Sequence, residues 1–369
     1  MDWIDPLQDA RWARFVARHP KASVFHTPAW LDALRRTYGY QPAALTTRSV
    51  GAELVDGFPF CEVKSWINGS HLVSLPFSDH CHPLLEHAED FSAFTASLRE
   101  QCGPAGWKYV EIRLLGDGNS DVCGQGLLAR SEAPFDDSIP LKSNNGVSCF
   151  AKCEEYSFHK INLRSDLEAI FGNFHRSCIQ RKIQRAERES LEYEAGRSQS
   201  DLRKFYRLLL LTRRRHGLPP HPMTWFQHLM SCFRDDLTIR IAQKDGQPIA
   251  GILTLRHKNT LVYKYGGSDA TFHSLGAMPM LFWKVIQEGK EQGVEEFDLG
   301  RSDIDNPGLT VFKEHLGATR SKLTYLRFGR RRFRITTADS HLRIARAAFR
   351  RMPERLAQAA GSLLYRHIG

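Results

Sequence analysis

Between residues 190 and 330 the spacing of apolar positions switches between a period of two and a period near 3.6, and each switch predicts an element. Leu191-Glu192-Tyr193-Glu194-Ala195 alternates and predicts a strand. Asp201 is placed to N-cap a helix through about His216, with Leu202, Phe205, Leu209 and Thr212 on one face; Gly217, Pro219 and Pro220 end it. A second helix is predicted at 223–233. Apolar runs at 237–243, 248–256 and 260–265, joined by Lys244-Asp245-Gly246-Gln247 and His257-Lys258-Asn259, predict an antiparallel meander. Pro279 then opens a helix whose Met278, Leu281, Phe282, Val285, Ile286 and Gly289 share a face, and Gly293 stops it. A strand at 295–300, a short helix at 309–316 and a strand at 322–328 complete the series.

The first half gives weaker signals: helices at 8–18, 28–38 and 90–101, and strands at 43–48, 52–63, 71–75 and 109–114. Residues 116–145, rich in Gly, Ser and Asp, predict a loop. A strand-like 161–163 and a helix at 165–189 lead into the second half, so the expected domains are 1–164, 165–330 and a tail, 331–369. The fold class expected is α/β (α+β), each domain a mixed, mostly antiparallel sheet flanked by helices.

Composition adds little: 369 residues that are 42% hydrophobic and 25% charged suit a globular chain of two domains. No apolar run reaches the roughly 18 residues a membrane span needs, and Met1-Asp2-Trp3-Ile4-Asp5-Pro6 lacks the basic start of a secretory signal. Eight scattered cysteines with no Cys-x-x-Cys suit reduced thiols in a cytoplasmic protein. Charge changes the picture more. The chain carries +10, but the segment from Arg320 onward holds thirteen Lys/Arg against Asp339 and Glu354, leaving the first 319 residues near neutral. A basic tail on a neutral body points to an anionic partner (membrane surface, RNA or a phosphorylated substrate) or to a solubilising surface. A helix at 340–351 would set Leu342, Ala345, Phe349 and Met352 against Arg343, Arg346, Arg350 and Arg351, suited to an anionic leaflet or to packing on the body.

The element order of the second half, β-α-α-β-β-β-α-β-α-β, is that of the GNAT acyltransferases. Several motifs make the chain resemble the Fem-like, peptidoglycan-bridge branch of that superfamily and its relatives in exopolysaccharide gene clusters. They are Phe25-His26-Thr27-Pro28-Ala29-Trp30, Leu75-Pro76-Phe77-Ser78-Asp79, Tyr263-Lys264-Tyr265-Gly266-Gly267-Ser268, Phe297-Asp298-Leu299-Gly300-Arg301-Ser302 and Phe312-Lys313-Glu314-His315-Leu316-Gly317. The resemblance covers roughly residues 20–328 and implies two tandem GNAT-like domains, the first degenerate. It implies transfer of an acyl or aminoacyl group to an amine of a cell-envelope or exopolysaccharide precursor. The donor would be acyl-CoA or aminoacyl-tRNA and the acceptor a small or lipid-linked glycan or peptide. No DNA is expected.

Within that resemblance, His273-Ser274-Leu275-Gly276-Ala277-Met278 stands where the superfamily cradles pyrophosphate on backbone N–H groups at a helix start. Donor binding would fall to His273, Leu275, Gly276 and Ala277, although His273 replaces the usual Gln or Arg and Met278 a small residue. Lys313 would contact phosphates or the developing oxyanion, and Asp298 would accept a proton from the attacking amine. Their alternatives are a solvated lysine and an acid bound to Arg301 or Ser302. Tyr263 and Tyr265 are expected on one face of their strand and Lys264 on the other, as substrate contacts or core aromatics. Arg215 and His216, Arg301, and Asp79 with His80 complete the expected acceptor contacts. Arg181, Arg185 and Arg188 form a basic stripe, anion-facing or solvated. His80-Cys81-His82 cannot converge on one ion without an unusual loop, and no metal is expected. The absence of Gly-x-Ser-x-Gly and of a Walker Gly-Lys-Ser removes serine hydrolases and P-loop enzymes. The lack of a long helical arm between 216 and 237 inclines the donor toward a CoA- or carrier-linked acyl group. The rival class is a non-catalytic GNAT-fold protein that binds a polysaccharide or lipid-linked intermediate.

Overall fold

The computed structural model describes residues 1–49, 51–66, 69–87, 90–116, 151–329 and 346–368. Most of the loop expected at 116–145 and the tail residues 330–345 lie outside them. The chain divides into two compact units. One comprises Met1–Tyr156, Lys322–Thr336 and Arg366–Gly369; the other comprises Ser157–Ser321 and Thr337–Tyr365.

The first unit contains β1 (Asp2–Ile4), α1 (Ala10–Arg18), α2 (Pro28–Tyr38), β2 (Gln41–Thr46), β3 (Phe58–Val63), β4 (His71–Val73), α3 (Asp90–Cys102) and β5 (Tyr109–Leu115). Strands β1 to β4 pair antiparallel in sequence, and β4 joins β5 in parallel. β1 was not foreseen. β3 starts six residues later than expected, because buried Asp56 accepts from Thr46 Oγ1 (2.9 Å) and the Thr47 amide (2.8 Å), holding the preceding stretch as a loop. Phe58, Phe60, Phe91, Phe94 and Leu98 form a core between the sheet and α3.

The second unit carries β6 (Ala151–Asn162, shared with the first), α4 (Leu167–Gly172), α5 (Arg181–Arg188), β7 (Glu192–Gly196), α6 (Gln199–His216), α7 (Met223–Phe233), β8 (Leu237–Lys244), β9 (Gln247–His257), β10 (Thr260–Ser268), α8 (Ala277–Glu291), β11 (Glu296–Asp303), α9 (Pro307–His315) and β12 (Thr319–Gly329). Helices α10 (346–351) and α11 (Glu354–Ile368) follow. The far part of β12 pairs antiparallel with β5, from Leu323↔Leu115 to Gly329↔Tyr109, and belongs to the first unit. There Glu111 receives Arg113 (2.9 Å) and Arg327 (2.6 Å). Burial pushes its carboxyl up, and the two guanidiniums more than reverse this, holding it below its ordinary value.

The sheet of the second unit runs β6-β11-β10-β9-β8-β7. The antiparallel meander β8-β9-β10 is as expected, and β11 joins β10 in parallel. Helix α8 packs Leu281, Phe282, Val285 and Ile286 on one face, against Ile252, Leu261 and Phe297. Helix α6 lies so close to β10 that a Cβ on Gly267 would sit 2.5 Å from the backbone of Leu208 and Leu209.

Two sequence expectations are corrected here. The single helix expected at 165–189 is broken: α4 ends, His175 takes an extended ψ of 123°, and a π-turn over Arg176–Gln180 precedes α5. The cap of α6 is Ser198, and Asp201 sits three residues inside as the reciprocal partner of a capping box.

Candidate functional site

Strands β10 and β11 pair only at Thr260↔Glu296, Leu261↔Phe297 and Val262↔Asp298. Beyond this point β10 continues along β9 to Ser268 while β11 runs on to Asp303, so two adjacent parallel strands part at their C-terminal ends. The parting coincides with two local irregularities. In β10 the register slips between Tyr263 and Tyr265, a β-bulge that leaves Lys264 as the extra residue. In β11 the Asp298 carboxylate accepts the Gly300 amide at 2.6 Å, and Gly300 adopts a left-handed φ of 69°.

The bulge overturns the expectation that Tyr263 and Tyr265 share a face. An inserted residue reverses the two-residue alternation. Tyr263 therefore packs on the α8 side, 4.9 Å from the Phe282 ring. Tyr265 is buried on the α6–α7 side, where its hydroxyl accepts Trp225 Nε1–H at 2.9 Å. Lys264 lies 5.7 Å from the Tyr265 ring. Burial raises the Tyr263 phenol to about 12, so it stays protonated at neutral pH.

The Gly300 turn presents its own carbonyl and that of Arg301 to Lys313, whose Nζ donates to both at 2.9 Å. Lys313 is only 2% exposed, so it is not the solvated surface lysine that Glu314 beside it suggested. Close by lie two buried polar groups, His159, which the sequence did not single out, and Ser302, which it offered only as a partner for Asp298. Among the described residues, both nitrogens of His159 and the hydroxyl of Ser302 have no hydrogen-bond partner. Burial and the neighbouring Lys313 charge lower His159 to about 4. Its folded pKa thus lies below the unfolded value near 6.5, so its contribution to stability is present above pH 6.5 and is lost as pH falls toward 4. The melting temperature of His159→Phe is expected to fall less steeply than that of the parent between pH 6.5 and 4; parallel curves would contradict this.

On the β10 side, Arg215 Nη1 donates to Ser268 O (3.2 Å), the Ser268 amide donates to Thr212 Oγ1 (2.8 Å), and His273 Nε2 lies 2.9 Å from Ser268 Oγ. Arg215 and His273 thus meet at the end of β10, beside the start of α8. Burial and then Arg215 lower the His273 pKa; burial and then Arg215 also lower that of His216, which is exposed one residue further along. Gly276, at φ 82°, is the N-cap of α8, and among the described residues no side chain caps the helix. Ala277 is buried and Leu275 half-buried behind it. A Cβ on Gly276 would lie 2.1 Å from the Lys182 carbonyl oxygen, so α5 walls one side of this turn. Pro279 stands third in α8 rather than first, and its ring removes a further amide from the helix start.

In the first unit, Tyr325 donates its hydroxyl to the Asp79 carbonyl (2.8 Å), and the buried His80 meets the Phe25 ring edge-on at 5.4 Å. His82 and His26 are engaged by the backbone at Leu115 and His82. The last helix packs on the second unit: the Tyr365 ring stacks on His221 at 3.8 Å and its hydroxyl donates to Pro219 O.

The parted parallel strands and the helix starting at the gap meet a matching family model, the acetyltransferase (GNAT) domain, over residues 173–314. Residues 173–314 form a GNAT domain. Over 137 residues the chain is 27% identical to UDP-N-acetylmuramoylpentapeptide-lysine N(6)-alanyltransferase of Weissella viridescens, a match covering 36% of this chain and 40% of that enzyme. The matched part is thus less than half the length of that relative. In fold the chain is Fem-like: the FemX crystal structure matches 88% of this chain and 97% of its own at a TM-score of 0.62 and 13% identity. A tandem GNAT protein from the clavulanic acid biosynthesis pathway matches 90% and 99% at 0.51 and 10% identity. Among the described residues no helix is long and apolar enough to cross a membrane.

Proposed function

We propose that this GNAT domain moves an aminoacyl or acyl group from an activated donor to an amine of a cell-envelope precursor, a glycan or peptide carried on a nucleotide or lipid. The observation that carries this reading is the buried Lys313 ammonium at the edge of the β10–β11 gap. The attacking amine adds to the donor carbonyl, and charge builds on the carbonyl oxygen. A fixed cation in a dry setting stabilises that charge more than water would. The acyl–oxygen or acyl–sulfur bond then breaks, and the amine's proton leaves with the departing group or to water. Asp298 serves here to hold the Gly300 turn, and through it the carbonyls that seat Lys313, rather than as the base.

For the donor, the turn at Gly276 supports aminoacyl-tRNA over acyl-CoA. A carbonyl oxygen walls one side and Pro279 removes an amide, which disfavours a pyrophosphate. Arg181, Lys182, Arg185 and Arg188 are exposed on α5 alongside, a face suited to a polyanion. Arg215, His216, His273, Arg301 and Lys264 are assigned to the phosphates and polar groups of the two substrates. We place the enzyme on the cytoplasmic side of the membrane. Leu356 and Leu363, exposed on α11 beside Arg355 and Arg366, support peripheral contact.

The test incubates the full chain with labelled aminoacyl-tRNA or acetyl-CoA and a nucleotide-linked muramoyl pentapeptide. Label should pass to the peptide from tRNA and not from coenzyme A. Transfer from acetyl-CoA alone would reverse the donor assignment. Precursor binding without transfer from either donor would favour the non-catalytic protein.

A further inference from the structure

The break between α4 and α5 brings together side chains that the transfer chemistry does not use. His175 ends the broken helix, Cys178 follows three residues later inside the π-turn, and His315 is the last residue of α9. One ligand atom from each lies within 4.8 Å of the other two. The rings of His175 and His315 are 4.2 Å apart at an interplanar angle of 39°. The two segments are also joined by backbone: the His175 amide donates to the His315 carbonyl at 2.8 Å. π-turns inside helical segments are uncommon and concentrate at functional sites. This one supplies the local geometry that an unbroken helix over 165–189 would not.

We propose that His175, Cys178 and His315 form a binding site for a borderline divalent transition metal, zinc being the natural occupant. Two imidazoles and a thiolate are a ligand set that prefers zinc-like ions over magnesium or calcium, which take oxygen donors. In a tetrahedral zinc site, bonds of about 2.0–2.3 Å put ligand atoms roughly 3.3–3.8 Å apart. The three atoms need to close by about 1 Å or slightly more, within the reach of side-chain rotation because His175 is exposed and the other two are half-buried. His175 Nδ1 accepts the Cys178 amide at 3.2 Å, so this nitrogen carries the lone pair. Metal binding exchanges that long hydrogen bond for a coordinate bond, and the Cys178 thiol gives up its proton to solvent. The ion clasps the end of α9, two residues from Lys313, to the start of α5. The site stands independently of the transferase reading, because its readout is the metal itself.

Cobalt(II) is the probe. Added to the full chain in equimolar amount, it should give a sulfur-to-cobalt charge-transfer band in the near ultraviolet and the intense visible bands of tetrahedral coordination. Zinc should bleach both. Cys178→Ser should abolish the near-ultraviolet band, and His315→Ala should weaken binding by at least about tenfold. Circular dichroism confirms that each variant folds. Absence of the bands in the parent, or bands unchanged in Cys178→Ser, would overturn the site.

Discussion

Lys313→Met is expected to lower the transfer rate by about 10²–10³-fold, the size of effect seen when one oxyanion-stabilising group is lost. It should also cost stability. The ammonium is buried and donates to two carbonyls, Gly300 O and Arg301 O, at 2.9 Å each. Methionine keeps the aliphatic body but leaves both oxygens without that donor, at about 1–3 kcal/mol per unsatisfied group. Relief from burying a charge offsets part of this, so a net loss of about 2–4 kcal/mol is expected. Denaturant melts measure the second effect and single-turnover transfer below the melting range measures the first. A variant that loses stability but keeps full turnover would make Lys313 a structural residue and remove the central support for the proposed chemistry. Lys313→Arg separates the two further. It keeps the charge, but its planar fork does not reproduce the point cation between two carbonyls that a lysine provides.

The fold was legible where one physical signal dominated. The meander β8-β9-β10 and helices α2 and α7 have clear apolar periods and strong stops, and their limits fell within a few residues of the expected ones. Legibility failed where tertiary contacts set the backbone. No periodicity announces that His175 will cap a π-turn; the one local signal for the break is Gly172-Asn173, a stop pair inside an otherwise helical run from 165 to 189. Nor does Tyr263-Lys264-Tyr265 reveal a bulge, since an alternating pattern reads the same with or without one inserted residue. That one insertion moves Tyr265 into the core against Trp225, a change of face rather than of position. Sequence singled out Lys313 and Asp298, but their relation was hidden. Asp298 shapes the turn at Gly300, and the turn seats the lysine. His159 carried no local signal and Ser302 stood only as a possible partner for Asp298, because their interest lies in burial without a partner among the described residues, which only packing reveals. In the histidine and cysteine pattern that drew attention, His80-Cys81-His82, the three side chains have separate partners (the Phe25 ring, His26 Nε2 and the Leu115 carbonyl), whereas the spatial cluster joins residues 175 and 315, far apart in the chain.

Gly276→Ala is expected to be strongly damaging for so small a substitution. Two separate costs fall on one methyl group. The left-handed φ of 82° costs an L-residue about 1–2 kcal/mol. The methyl would then stand 2.1 Å from the Lys182 carbonyl oxygen, a backbone atom that cannot rotate away, so α5 must shift against α8. Overpacking of this kind costs about 1–3 kcal/mol or more, for a total of about 3 kcal/mol or above. Gly246→Ala supplies the comparison. That glycine has a similar φ of 73°, in the turn between β8 and β9, but among the described residues nothing lies within 4 Å of its Cβ position, so only the first cost applies. The difference between the two variants in a denaturant melt isolates the contact between Gly276 and Lys182. A large difference means that the tight turn at the start of α8 is closed by α5 and that Gly276 is required for packing before any ligand arrives, which is the state that disfavours a pyrophosphate donor. Equal losses would mean that α5 yields freely there, and the cradle would again be open to coenzyme A.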